Sequence, residues 1–150
     1  MSLVSVENGL VSGVSIDAFE DALNELPKFD CPTEHFFWGG FYLRQIHMPA
    51  GFECTTKIHA KRHSFQITQG KVEVLDNQGT AVVLEAPYVG ITEAGTRRAL
   101  RVLEDCVWTT FHATEAQSPE EAEQDLIIPQ NREGIAYANA RNEHVQHLPS

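Results

Sequence analysis

Residues 51–70 read GFECTTKIHAKRHSFQITQG, and the way this stretch alternates decides the fold class. Pro49-Ala50-Gly51 just ahead of it is a turn. Phe52 to His59 and His63 to Thr68 read as short strands, and Lys71 to Leu75 follows as another beyond Gly70. Successive side chains of a strand take opposite faces. His63, Phe65 and Ile67 therefore share one face, and the two apolar members mark it as the core side. By the same rule Lys57 and His59 share a face, with Phe52, Cys54 and Ile58 on the opposite one.

Working outward, the strand texture persists on both sides. Phe36 to His47 is aromatic and aliphatic and carries Gly39-Gly40, which suggests a bulge or a close backbone approach. Downstream, Asp76-Asn77-Gln78-Gly79 is a hairpin loop from which Thr80 to Leu84 returns. Ala86-Pro87 and Glu93-Ala94-Gly95 are further turns, and Arg98 to Leu103 and Cys106 to His112 complete the strands. Short strands at this spacing indicate an all-β sandwich or barrel.

Helices flank the strands. Ile16, Phe19, Leu23 and Leu26 recur at helical spacing before Pro27, and Asp17 with Glu20 resembles a capping box. This helix is expected on the outside of the barrel. Ser118-Pro119-Glu120-Glu121 is a helix start, with a capping serine and glutamates that complement the helix dipole, and the helix is expected to run to about Ile128. The chain thus divides into an N-terminal arm and helix (1–35), a barrel (36–113), and a C-terminal helix with an extended tail (114–150). Arms at both ends suggest a homo-oligomer whose neighbouring copy holds them.

The net charge of -10 disfavours non-specific nucleic-acid binding, because phosphates would be repelled. No apolar run is long enough to span a bilayer, and the N-terminus lacks the basic start and apolar block of a secretory signal. Cys31, Cys54 and Cys106 form no CxxC pair, so reduced thiols in a cytosolic setting are expected, with Cys54 and Cys106 as small core residues. Dinucleotide, P-loop, GxSxG, HExxH and zinc-finger patterns are absent from the sequence.

Gly51, Lys57, His59, His63 and Gly70 fall on the marks of the first cupin signature, Gly-x5-His-x-His-x3-4-Glu-x6-Gly, with Lys57 in place of a histidine and His63 in place of the glutamate. Of the second signature Gly95 is kept, while Arg98 stands at the histidine, Glu93 at the proline and Val102 at the asparagine. The stretch from Tyr42 to His112 thus resembles the cupin superfamily, which implies a mainly β jelly-roll barrel. TKIHAKRH (Thr56–His63), GTRRAL (Gly95–Leu100) and EDCVWTTFH (Glu104–His112) are similar to small cupins encoded in phages and prophages. That resemblance implies a host-cell cytoplasmic or virion location and virion proteins as partners.

Two readings of the histidines stay open. His59 and His63 could hold a divalent transition metal (Fe, Zn, Ni or Mn), with His112, His47 or Glu53 as the third ligand. Alternatively they are relics of a decayed site and no cofactor is bound; cationic Lys57 and Arg98 beside them weigh toward decay. Those cations, with Trp108 on the face of His112, are candidate residues for a small anionic ligand. Against this, Lys57 and Arg98 could pair with Glu53 or Glu73, Trp108 could be core, and His112 could end its strand in solvent. Arg97 alternates outward as a solvated or interface charge, and His35, His144 and His147 read as surface residues. The sequence therefore favours a non-catalytic accessory barrel with a degenerate pocket; a metal-dependent dioxygenase or isomerase and an anion sensor are the alternatives.

Overall fold

The computed structural model describes residues 16–76 and 80–128, together with the backbone of residues 5–6 and 9–10. The expected extended tail and its histidines, His144 and His147, lie outside these residues, as does the tip of the loop after Asp76. Two short strands, β1 (Ser5–Val6) and β2 (Gly9–Leu10), pair antiparallel. Helix α1 (Ile16–Leu23) follows, and then the strands of the barrel. These are β3 (Thr33–Trp38), β4 (Phe41–Met48), β5 (Glu53–Thr55), β6 (Ile58–His59), β7 (His63–Asp76), β8 (Ala81–Glu85), β9 (Tyr88–Thr92) and β10 (Arg98–Ala113). Helix α2 (Pro119–Leu126) and strand β11 (Ile127–Ile128) close the described chain.

The two long strands organise the barrel. Each was expected as two short ones, at 63–68 and 71–75 and at 98–103 and 106–112; instead each runs through and bends. The first half of β7 pairs with β9 and the second half with β8. The first half of β10 pairs with β5 and the second with β4, while β7 and β10 pair with each other along their lengths. One layer is therefore β3-β4-β10-β7-β9 and the facing layer β5-β10-β7-β8, all antiparallel. The bend lies where β7 and β10 lose register between Val102 and Trp108. Gly70 sits there with φ +95°, and a Cβ on it would stand 2.2 Å from the Asp105 carbonyl oxygen. Only glycine fits both the backbone angle and the approach. This is a mainly β jelly-roll barrel with a short helix near each end, as the signature spacing implied.

Between the layers lies a core of Met48, Phe65, Ile67, Val72, Val74, Leu100, Val102, Cys106 and Trp108. The alternation expected for His63-Phe65-Ile67 and for Arg98-Leu100-Val102 is observed: Phe65, Ile67, Leu100 and Val102 are all buried. Cys106 is in this core and Cys54 packs against it; burial pushes their thiols up to about 11 and about 12, and all three cysteines are free.

Several local expectations are corrected. Gly39-Gly40 is no bulge but the turn joining β3 to β4, with φ of 54° and 84°. Between the turns at Ala86-Pro87 and Glu93-Gly95, Tyr88–Thr92 forms a further strand, β9. Asp17 is the second residue of α1 rather than its cap, and both it and Glu20 bind Arg97, with Nη1–Oδ1 2.7 Å and Nη2–Oε2 2.5 Å. Arg97 does lie on the outer face, yet it is only 3% exposed, because Ile16 and Phe19 of α1 pack there against Leu75 and Ala99. The helix 119–126 has the expected cap, Ser118 Oγ accepting from Glu121 N, but it ends at Leu126. Ile127–Ile128 then pairs with β6 as a strand.

Candidate metal centre

Three strands bring three histidines together. His59 ends β6, His63 begins β7, and His112 lies near the end of β10. One ligand atom from each ring falls within 4.8 Å of the others. The ring centroids are 4.3 Å (His59–His63), 4.5 Å (His63–His112) and 5.0 Å (His59–His112) apart. His63 and His112 are buried and His59 is partly exposed.

The fold explains the convergence. Register sets Phe111 opposite Ser64, which brings His112 alongside His63 on the inner face. β6 is held apart from the main sheet by β11, with Ile127 opposite His59, and by the Gly95 N–H donating to the His59 carbonyl at 2.9 Å. His112 does not end its strand in solvent. The end of the barrel is covered by α2, whose Ala122 and Leu126 pack with Tyr42 and Ala116, and Tyr42 stacks on the His112 ring at 5.6 Å.

Burial decides the charge of the cluster. Removal from water, reinforced by the neighbouring rings and by Arg44, lowers His59 to about 2 and His112 to about 3. Burial likewise lowers His63 to about 4, aided by Arg98 and opposed by a bond to the Lys61 backbone. All three imidazoles are therefore neutral near pH 7, the form that ligates metals. His63 Nδ1 lies 3.4 Å from the Lys61 carbonyl, His59 bonds the Lys57 backbone, and His112 Nε2 lies 2.8 Å from Thr110 Oγ1. A metal-ligating histidine ordinarily uses its second nitrogen in this way. Three neutral nitrogen donors gathered within 4.8 Å of one another are of the kind that holds a divalent transition metal, and they would leave coordination positions open.

The other sequence candidates lie elsewhere. Lys57 falls between β5 and β6, where strand alternation does not apply, and its Nζ pairs with Glu123 Oε1 at 2.6 Å on the surface. It is therefore not a cation inside the barrel. Arg98 is inside: its Cζ sits 5.2 Å from the Phe65 ring centroid and its Nη1 donates to Thr92 Oγ1 at 2.9 Å. It lines a cleft with Phe65, Val74 and Tyr88 to which none of the three histidines contributes, although its charge reaches His63. Glu73 pairs with Arg101, at 3.9 Å, rather than with Lys57 or Arg98. Trp108 is a core residue stacked on Phe65 at 4.6 Å. His47 pairs with Glu34 on the outer face at 2.6 Å, His35 Nδ1 contacts the Tyr42 hydroxyl at 2.7 Å, and Glu53 lies on β5 outside the cluster. Sequence reasoning missed Arg44. Its signal was the β4 alternation Tyr42-Arg44-Ile46-Met48, which places an arginine in an inward-facing row.

No family model matches the chain, and no curated protein matches it in sequence. Solved structures do resemble it. Protein NMB1881 from Neisseria meningitidis is 10% identical with a TM-score of 0.50, the match covering 61% of this chain and 92% of that one. Salicylate 1,2-dioxygenase from Pseudoaminobacter salicylatoxidans, solved as adducts with gentisate, is 16% identical with a TM-score of 0.52, over 73% of this chain and 32% of that one. An uncharacterized conserved protein with a double-stranded β-helix domain from Klebsiella pneumoniae is 14% identical with a TM-score of 0.48, over 63% and 89%. At these identities the likeness is one of fold, that of a mainly β jelly-roll barrel.

Proposed function

We propose that this barrel holds one divalent transition metal on His59, His63 and His112 and works as a metal-dependent enzyme of the oxygenase or isomerase kind. The observation that carries the reading is the convergence of three neutral imidazoles, two buried and His59 partly exposed, with a ligand atom of each within 4.8 Å of the others. A metal held there would supply Lewis-acid polarisation or activation of water or oxygen. The chain's own part is to keep the three nitrogens unprotonated, to orient His63 through Lys61 and His112 through Thr110, and to cover the site with α2.

The competing reading is a non-catalytic phage- or virion-type accessory protein with a degenerate pocket. One of its grounds, a lysine inside the metal pocket, is weakened by the Lys57–Glu123 pair on the surface. Elemental analysis of protein from metal-replete medium separates the two. Near-stoichiometric Fe, Zn, Ni or Mn is expected, lost in His63→Ala and His112→Ala while circular dichroism stays unchanged. Metal-free protein with an intact fold would overturn the enzyme reading. Self-association belongs to the same proposal, because Val83, Val89 and Ile91 on β8 and β9 are exposed. A strictly monomeric sedimentation profile would remove it.

A further inference from the structure

β4 carries Tyr42, Arg44, Ile46 and Met48 on one face. Tyr42 and Met48 are buried and Ile46 packs on the core, so this is the inner face and Arg44 belongs to it. Its register neighbour on β10 is Thr110, whose hydroxyl contacts His112 Nε2. Through that register Arg44 lies one residue pair from His112 on the inner face, and its positive charge reaches both His59 and His112. The other arginines among the described residues have partners: Arg62 has Glu93, Arg97 has Asp17 and Glu20, Arg101 has Glu73, and Arg98 has Thr92. Among the described residues the Arg44 side chain has no hydrogen bond and no ion pair. The three histidines bring no negative charge either. A divalent metal on them would add two positive charges next to a guanidinium, in a site partly removed from water. Such a site is completed by an anion.

We propose that Arg44 is the anion-binding residue of the histidine site, and that the ligand worked on there is a small carboxylate. The inference rests on the metal reading for the role of the ligand, and on strand register for the place of Arg44. A guanidinium offers two parallel N–H donors that match the two oxygens of a carboxylate, which fixes both position and orientation. Arg44 would hold the carboxylate while the neighbouring part of the same molecule faces the three histidines.

Malonate serves as the probe, titrated calorimetrically into the full-length protein, both zinc-loaded and metal-free, with inorganic phosphate as the second anion. Wild type is expected to bind malonate in both forms, more tightly with zinc. Arg44→Gln should weaken malonate by about tenfold or more, the scale of a lost charge-assisted pair, and Arg44→Lys by less. Zinc content should be equal in all three proteins, and equal circular dichroism spectra exclude misfolding. Equal malonate affinity in wild type and Arg44→Gln would overturn the inference while leaving the metal reading intact. Binding of phosphate but not malonate would overturn the carboxylate class. If wild type holds no zinc, the metal reading fails, and malonate binding by the metal-free protein that is lost in Arg44→Gln still establishes the Arg44 site.

Discussion

His59, His63 and His112 are lowered to about 2, about 4 and about 3 by burial, whereas an unfolded histidine titrates near ~6.5. From that value down to about 4 the unfolded chain takes up protons that the folded chain refuses. Stability of the metal-free protein should therefore be full above the unfolded value and should fall as pH drops through this window. Urea midpoints at pH 7.5 and 5.5 measure it. A clear drop is expected in wild type and a flatter profile in the His59→Gln, His63→Gln, His112→Gln variant; identical profiles would mean that the cluster is not buried as described. Two of these residues were legible, because His59 and His63 sit at signature spacing in a stretch that alternates. His112 was legible only as one candidate among several, since its place depends on pairing across 49 residues of sequence, from position 63 to 112. Lys57 was misread because alternation was carried through Thr56-Lys57, where the strand is broken. Arg97 was misread because alternation gives a face and does not say that a helix covers it.

At the scale of elements, the bend in β7 and β10 forms both layers. Gly70→Ala must resolve a 2.2 Å approach to the Asp105 carbonyl as well as a φ of +95°. Gly51 has a similar φ of +90° with nothing within 4 Å of its Cβ position, so it reports the backbone strain alone. Gly51→Ala is expected to cost about 1 kcal/mol in denaturant titration and Gly70→Ala at least ~3 kcal/mol, with a matching loss of expression. Equal costs would show that the corner relaxes freely. Helix α1 is pinned by Arg97, whose side chain is 4% exposed while Asp17 is 41% exposed. Losing a fully buried pair costs ~3–5 kcal/mol, and because these acids reach solvent Arg97→Ala should cost about 2 kcal/mol. Lys57→Ala, which breaks a surface pair, should cost less than about 1 kcal/mol in the same assay. Strands and helices were readable from period and caps. The continuity of β7 and β10 was not, since a glycine and a loss of register look like strand ends until a partner strand is seen to run past them.

Across the whole molecule, the histidine cluster spans two separate sheets. His63 and His112 belong to the main sheet, whereas His59 belongs to the small β6–β11 pair, whose second strand follows α2. The pair is extended by Ala60 N–H to the Leu126 carbonyl at 2.7 Å and tied to the turn before β10 by Gly95 N–H to the His59 carbonyl at 2.9 Å. A metal on the three rings would clamp β6, and through it α2 and β11, onto the barrel. It would bind the folded chain and not a properly assembled site in the unfolded one, so stability should rise with free metal. At 100 times the dissociation constant the gain is ~2.7 kcal/mol, which for a chain of this size is a rise in Tm of roughly 5–10 °C. The clamp also predicts where protection appears. Amide exchange at Ala60 and Gly95 should slow more on zinc binding than exchange at the β8 amides, which lie far from the cluster along the sheet. His59→Ala should abolish that local protection even where His63 and His112 still retain weak metal. A Tm unmoved by any of the four metals, or uniform protection with no excess at β6, would separate the cluster from the cap and leave the three histidines as packing alone.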